Sequence, residues 1–451
     1  MKRVAMLLLP VLLMASSDEI RTLLVNRVDT GKKAMGIVVG TISATGRDIT
    51  AYGKSSMEGT PPLDGDTIFE IGSITKVFTS LLLADMVERG EVTLDTPVAK
   101  LLPEGVKIPS RDGKEITLLD LSMQVSGLPR MPNNFKPADP TNPYADYDPP
   151  KLYAFLAGYT LPRPIGEKYE YSNLAVGLLG HALALKSGMS YEALLKKRIF
   201  EPLGMSSTTI TMSPELQKRL TPGYDPALSP VHNWDLDALA GAGAIRSTAN
   251  DMLKFLAANL ELTDTPLKPA MRRMRAVRRS TGMADVDIMM AWHVFTKYGT
   301  EIVWHNGGTA GYRSFIGFDP AAKKAIVVLC NTSFDIDEIG RHYLESKWPV
   351  ATFDPPKVRS EVNLDPKILA GYTGEYQLNP AFAIKVTVEG SHVYAQATGQ
   401  PRFELFAEKE NEFFLKVVDA QVSFVKDESG KVTHLVLHQN GMNQKGTRVE
   451  R

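Results

Sequence analysis

The order in which strand and helix signals follow one another constrains this chain more than any single motif does. β-patterned residues stand at both ends of the segment 36–330, and helical patterns fill its middle. Residues 36–43 and 48–53 are β-rich and flank Ala44-Thr45-Gly46-Arg47, which predicts a hairpin. Apolar residues at helical spacing follow over 75–89, 151–158, 174–186, 191–200 and 250–261. Thr248, with Asp251 three residues on, is a candidate N-cap for the last of these. Strand character returns over 291–297, 301–305, 312–318 and 324–330. That order predicts one sheet whose first and last strands come from the two ends of the segment, with the helical region packed against it.

Two stretches break the pattern. Residues 131–150, dense in Pro, Asn and Asp, read as a long irregular loop, which serves either as a binding wall or lid or as an exposed insertion. Residues 351–362, containing Asp354-Pro355-Pro356, read as a linker. Beyond it the runs 384–388, 392–397, 403–407, 412–417, 421–426 and 432–439 are short, alternating and broken by Gly, Asn or Asp. Six or more such strands predict a small antiparallel barrel or sandwich. The expected organisation is a leader at 1–17, a main domain at 18–350, the linker at 351–362 and a β domain at 363–451.

The leader is read from Lys2 and Arg3, an apolar run from Val4 to Met14, and the small residues Ala15, Ser16 and Ser17, the layout of a secretory signal. The run is too short to span a bilayer, and Pro10 argues against a packed N-terminal helix. An exported protein, periplasmic or secreted, is expected, with no stable membrane span in the mature chain. Lys plus Arg and Asp plus Glu both number 51, so no global field holds a polyanion and nucleic acid is not an expected partner. The single cysteine, Cys330, can form neither an intramolecular disulfide nor a multi-cysteine metal or redox site. None of the 8 histidines stands in His-Glu-x-x-His, and Gly-x-Ser-x-Gly does not occur. Neither a zinc peptidase nor an α/β-hydrolase is therefore predicted, and no metal or organic cofactor is expected.

Three short motifs carry candidate chemistry. Ser73-Ile74-Thr75-Lys76 opens the helical run at 75–89. On a helix, residues three apart share a face, so the Ser73 hydroxyl and the Lys76 amine point the same way. Serine is a poor nucleophile until a base takes its proton, and a desolvated lysine is such a base. The spacing recurs at Ser423-Phe424-Val425-Lys426, but in an alternating strand, where residues three apart face opposite ways. Tyr171-Ser172-Asn173 precedes the next apolar helix. A tyrosinate near a lysine can shuttle a proton, and an asparagine offers both a donor and an acceptor to a substrate amide. The plainer reading is a packed tyrosine ring and an Asn helix cap. The third motif, Trp304-His305-Asn306-Gly307-Gly308-Thr309-Ala310-Gly311, ends a strand. Its glycines let a substrate backbone lie along the strand edge, and the Gly308 N–H can pair with that of Ser73 as an oxyanion hole. The plainer reading is a glycine-rich turn with a structural histidine.

Taken together and in this order, the three motifs resemble those of the penicillin-recognising serine hydrolases. The nearest branch is that of class C β-lactamases and the related D-alanyl-D-alanine carboxypeptidases, D-aminopeptidases and esterases. Residues 69–103, Ser126-Gly127-Leu128-Pro129 and 241–255 share the likeness, which spans about 35–333. Leu369 to Tyr376, a Leu-x-x-Tyr-x-Gly-x-Tyr segment, is similar to the start of a lipocalin-like domain appended to some members. The resemblance implies an α+β fold: an antiparallel sheet flanked by helices with an all-α subdomain, followed by a small C-terminal antiparallel β-barrel. It also implies an acyl-enzyme on Ser73, with Lys76 and Tyr171 sharing the proton transfers and the Ser73 and Gly308 N–H groups holding the oxyanion. Asn173, His305, Gly307 and Gly308 would bind the substrate. Which of Lys76 and Tyr171 accepts the serine proton is a matter of coupled titration that the sequence leaves open.

The third motif departs from the β-lactamase pattern, with His305-Asn306-Gly307 in place of Lys-Thr-Gly. A histidine of ordinary pKa, about 6.5, is mostly neutral at pH 7 and a weak anchor for a carboxylate. The expectation is therefore a hydrolase of D-alanyl peptides with weak β-lactam reactivity. The alternatives are a carboxylesterase on the same scaffold and a non-catalytic binding protein that retains the fold. The expected partner is a small-molecule or peptide substrate: a D-amino-acid peptide, a β-lactam or an ester. The C-terminal barrel is expected to cover the mouth of the site, bind a ligand or mediate self-association, so an oligomer through it stays open.

Overall fold

The computed structural model describes residues 17–355, 359–379, 382–417, 420–439 and 442–449. The leader read at 1–17 lies outside the described residues except for Ser17, which opens the helix Ser17–Val25. The chain divides into two compact units, one ending at Pro355 and the other running from Pro356 to Arg451.

The first unit is built on an eight-stranded antiparallel sheet. In spatial order its strands are Gly46–Gly53, Gly36–Ser43, Lys324–Cys330, Arg313–Asp319, Ile302–Gly308, His293–Phe295, Val286–Ile288 and Arg279–Ser280. As the strand and helix order implies, an early strand pairs with the last one, in the register Ile37↔Cys330 through Ser43↔Lys324. Alternate side chains sort to opposite faces, as the two-residue period of a strand requires. Val38, Val327, Leu329, Ile316 and Phe318 join the large core under the helices. Ile37, Val39, Ile326, Val328 and Phe315 join a second core with Ile20 and Leu24 of the first helix and Ile339, Tyr343 and Leu344 of the helix Asp337–Leu344. Both faces of the sheet are covered, which explains why the strand Lys324–Cys330 is buried along its whole length.

The helix Thr75–Glu88 runs through the larger core, with Thr75 to Met86 all buried. Its polar residues are satisfied inside: the Thr79 hydroxyl lies 2.6 Å from both Gly241 O and the Tyr191 hydroxyl, and Ser80 pairs with Ser122 at 2.8 Å. The helices Pro149–Gly158, Asn173–Ser187 and Tyr191–Leu195 surround it, and Thr248 caps Ala249–Asn259 through the Asp251 N–H.

The second unit is a closed antiparallel barrel of eight strands in sequential order, Gly374–Asn379 to Met442–Arg448. Tyr376↔Arg448 and Gln377↔Thr447 close it. Tyr376, Phe413, Phe424 and Leu435 pack together in its core, as expected of a barrel this size, whose interior side chains can fill it. Ser423 belongs to this barrel and bonds the His438 ring at 2.9 Å, while Lys426 turns to Glu410, so the second Ser-x-x-Lys spacing builds no pair.

The described linker residues are bonded each within its own unit. Wholly buried Arg27 donates to Ala351 O at 3.0 Å, and Asn26 exchanges hydrogen bonds with the Phe353 backbone at 2.8 and 3.0 Å. In the second unit the Val362 N–H donates to Ala407 O of the barrel.

Candidate active site

The site starts from a tight approach of two backbones. Ile68–Glu70 pairs with Arg246–Thr248, and the chain then turns through Gly72–Ile74 into the helix Thr75–Glu88. Gly72 has φ +49°, and a Cβ there would sit 2.8 Å from Gly308 N. A Cβ on Gly307 would lie 2.0 Å from Ile71 O. The glycines of the third motif therefore let the strand Ile302–Gly308 press against the serine turn, bringing Gly308 beside Ser73. The Ser314 hydroxyl locks the contact by donating to Ile71 O at 2.8 Å.

Lys76, one turn on, is wholly buried. Its Nζ lies 2.9 Å from Ser73 Oγ and donates to Ala242 O at 2.7 Å. Burial, helped by the nearby Arg130 cation, holds its amine well below the usual lysine range. Tyr171 comes from the segment before the helix Asn173–Ser187, and its ring centroid lies 4.8 Å from Lys76 Nζ. Burial pushes its phenol up to about 12, against the opposing pull of Ser73 and Arg130. Burial thus shifts the lysine toward its neutral form and keeps the phenol protonated around one hydroxyl.

The helix cap is Ser172, not Asn173: the Ser172 hydroxyl accepts the Ala175 N–H at 2.9 Å and donates to Pro129 O at 2.6 Å. That leaves the Asn173 side chain to face a small cavity of about 30 Å³ with Ser73, Tyr144, Trp234 and Leu236. A second cavity, of about 460 Å³, also opens on Ser73 and is walled by Arg130, Tyr171, His293, Asn306 and Arg313. Ser73, Trp234, Gly308 and Thr309 border both.

His305, expected to bind substrate, is not among the residues that line either cavity. It is wholly buried, and its Nδ1 lies 2.6 Å from Asn306 O while Nε2 has no partner. Burial, the His293 ring at 5.2 Å and Lys76 all hold it well below the ordinary histidine range. It is a neutral ring beneath the strand, not a cation at its surface. Asn306 donates to Asp337 at 2.6 Å, and Gly307 is buried while Gly308 is exposed.

Several wall residues carried no sequence signal of their own. Arg130 follows Ser126-Gly127-Leu128-Pro129 and stands 4.9 Å from the Tyr171 ring centroid. His293, held by the Tyr169 hydroxyl at 2.9 Å and lowered by burial to about 4, comes from a short strand. Tyr144 comes from the irregular stretch at 131–148 and packs on Trp234 at 5.2 Å, so that stretch is a wall rather than a bystander. Trp234 is in turn anchored by its N–H on buried Glu70, three residues before Ser73. The proline and asparagine content of 131–150 marked the loop; nothing in it singled out Tyr144.

The family model described as Beta-lactamase matches residues 26–345, and a domain of unknown function, DUF3471, matches residues 358–451. A penicillin-binding protein of Bacillus subtilis (strain 168) is 26% identical over 448 residues, covering 91% of this chain and 94% of that protein. The D-alanyl-D-alanine-carboxypeptidase/endopeptidase AmpH of Escherichia coli (strain K12) is 32% identical over 226 residues, 50% of this chain and 57% of that protein. Among solved structures, a class C beta lactamase from Rhodobacter sphaeroides superposes with a TM-score of 0.62 at 26% identity, covering 74% of this chain and 97% of that one.

Proposed function

The chain belongs to the beta-lactamase family, and from that premise we propose that it is an exported serine hydrolase that cleaves D-alanyl peptides through an acyl-enzyme on Ser73, with weak activity on β-lactams. The observation that carries this reading is the buried Lys76 amine 2.9 Å from the Ser73 hydroxyl, where burial lowers its pKa and so favours the neutral form that can accept a proton.

In the proposed reaction Lys76 Nζ takes the proton as Ser73 Oγ bonds to the substrate carbonyl carbon. The resulting oxyanion accepts from the N–H groups of Ser73 and Gly308, which the glycine contact between the two backbones brings together. Collapse breaks the bond to the leaving nitrogen, which receives its proton from the Tyr171 hydroxyl, and Tyr171 is replenished by the Lys76 ammonium. Water then attacks the ester, its proton passes to the same pair and on to Ser73 Oγ, and the acid leaves. Asn173 holds the substrate amide on the acyl side. Export is supported by the leader pattern at 1–17. The names of the penicillin-binding and carboxypeptidase relatives support the substrate class.

Carboxylesterase chemistry on the same serine is the second reading, favoured by the neutral, buried His305 where a surface cation would otherwise stand. Turnover of an N-acyl-D-Ala-D-Ala peptide and of a short p-nitrophenyl ester separates the two. Release of D-alanine at the greater kcat/KM supports the peptidase; ester cleavage with no D-alanine release overturns it.

A further inference from the structure

A buried acid close to the nucleophile takes no part in the reaction steps proposed above. Glu70 ends the strand Ile68–Glu70 three residues before Ser73, is buried, and is not among the residues that line either cavity. Its Oε1 accepts from Asn233 Nδ2 and from the Trp234 N–H, both at 3.0 Å, and from Arg246 at 3.2 Å. Burial pushes its carboxyl up, and Arg246, Thr309, Asn233 and Trp234 pull it back down. A buried ion pair such as Glu70 with Arg246 is weak evidence for stability, since well-packed apolar residues often serve as well. What distinguishes this one is where its partners come from.

They come from the segments that surround Ser73. Trp234 and Thr309 line both cavities. Asn233 Nδ2 also donates to the Tyr312 hydroxyl at 2.9 Å, and the Thr309 N–H donates to Tyr312 O at 3.1 Å, so the acid is linked to the turn 309–312 that follows Gly308. Arg246 lies opposite Glu70 in the strand pair and donates to Trp234 O at 2.9 Å and to Ile210 O at 2.7 Å. Two buried polar atoms are left over at the same place. Glu70 Oε2 and Thr309 Oγ1 have no hydrogen-bond partner among the described residues, although the Thr309 hydroxyl is one of the groups that pull the Glu70 carboxyl down. The carboxylate and the hydroxyl therefore face each other. Thr309 adjoins Gly308 in the chain, so this contact spans the two backbones whose N–H groups are to hold the oxyanion.

Resting on the reading of Ser73 as the acylated nucleophile, we infer that Glu70 is a positioning residue: through Thr309 and Asn233 it holds the turn 309–312 against the Ser73 turn and so fixes the spacing of the Ser73 and Gly308 N–H groups. Its effect falls on the transition state, because the oxyanion forms only as Ser73 attacks. Misplacing a reacting geometry by about 1 Å costs on the order of a hundredfold in rate.

The test acylates the full-length wild type, Glu70→Gln, Thr309→Val and the double variant with a penicillin over a range of concentrations. This separates the dissociation constant of the first complex from the maximum acylation rate. Each single variant is expected to lower the maximum rate by about tenfold or more, with the dissociation constant kept within about twofold. The double variant is expected to be about as slow as the slower single one, since both changes break the same link. A role confined to stability lowers the melting temperature and leaves both constants of the folded enzyme unchanged, which overturns the inference. A loss in the dissociation constant alone overturns it too, as do rate losses that multiply in the double variant. Should Glu70→Gln fail to fold, Thr309→Val on the rim of the cleft decides alone, and an unchanged maximum rate overturns the inference. A wild type that forms the Ser73 adduct while both single variants keep its rate refutes the positioning role alone. A wild type that forms no adduct refutes the serine reading and the positioning role with it.

Discussion

At the scale of single residues the site is a problem in keeping protons where they are useful. Burial holds Lys76 below and Tyr171 above their ordinary values, so the form proposed to react, neutral amine with protonated phenol, exists between those two titrations. Acid protonates the amine, so acylation falls as pH drops through the lowered lysine value. Alkali removes the Tyr171 proton near 12 and gives the descending limb. The expected profile of acylation rate against pH thus rises well below 10.5, the ordinary lysine value; a rise at that value contradicts the assignment. Lys76→Arg retains a long basic side chain but never releases its proton, and acylation by a penicillin is expected to slow on the order of a thousandfold. Because His305 and His293 are both neutral across the physiological range, KM for a D-Ala-D-Ala peptide is expected to show no inflection near pH 6.5. Ser73 and Lys76 were legible because helical spacing of three residues is a geometric statement. Arg130 was not, since a cation after a proline has no periodicity to announce it.

Elements explain why these residues meet. The serine turn and the strand Ile302–Gly308 approach closely at their backbones, and Gly307 leaves no room for a side chain. Gly307→Ala is expected to lose about 1–3 kcal/mol of stability by overpacking and to slow acylation of Ser73, read from a thermal melt and a labelling time course on the same protein. Normal melting and labelling together refute the close-approach account. In the sequence these glycines suggested room for substrate; in the fold they also make room for Ile71. The longer strands of the sheet were readable from their β-rich runs, but the short strands Val286–Ile288 and Arg279–Ser280 were not, being too brief to stand out. Six barrel strands were legible and two were not. Gly374–Asn379 and Met442–Arg448 are largely polar, and they are strands because pairing with each other and with their other neighbours closes the barrel.

For the whole molecule, the division at Pro355 carries a prediction about where the chain can be cut. A fragment ending at residue 355 keeps the partners of Arg27 and Asn26, whereas one ending at 350 strips Ala351 O and the Phe353 backbone from them. The shorter fragment is expected to be less stable by about 1–3 kcal/mol, the cost of leaving buried donors unpaired, while the longer one still acylates. Equal melting of the two fragments contradicts this. The even charge of the chain, 51 basic against 51 acidic residues, leaves substrate preference to local groups, and the cavity beside Ser73 is where they gather. The central claim is that Ser73 is the nucleophile, and intact-mass analysis after exposure to a fluorophosphonate or a penicillin tests it most directly. One adduct per chain, mapped to Ser73 and missing in Ser73→Ala, is the predicted result. No adduct on the wild type, or equal labelling of Ser73→Ala, would contradict it.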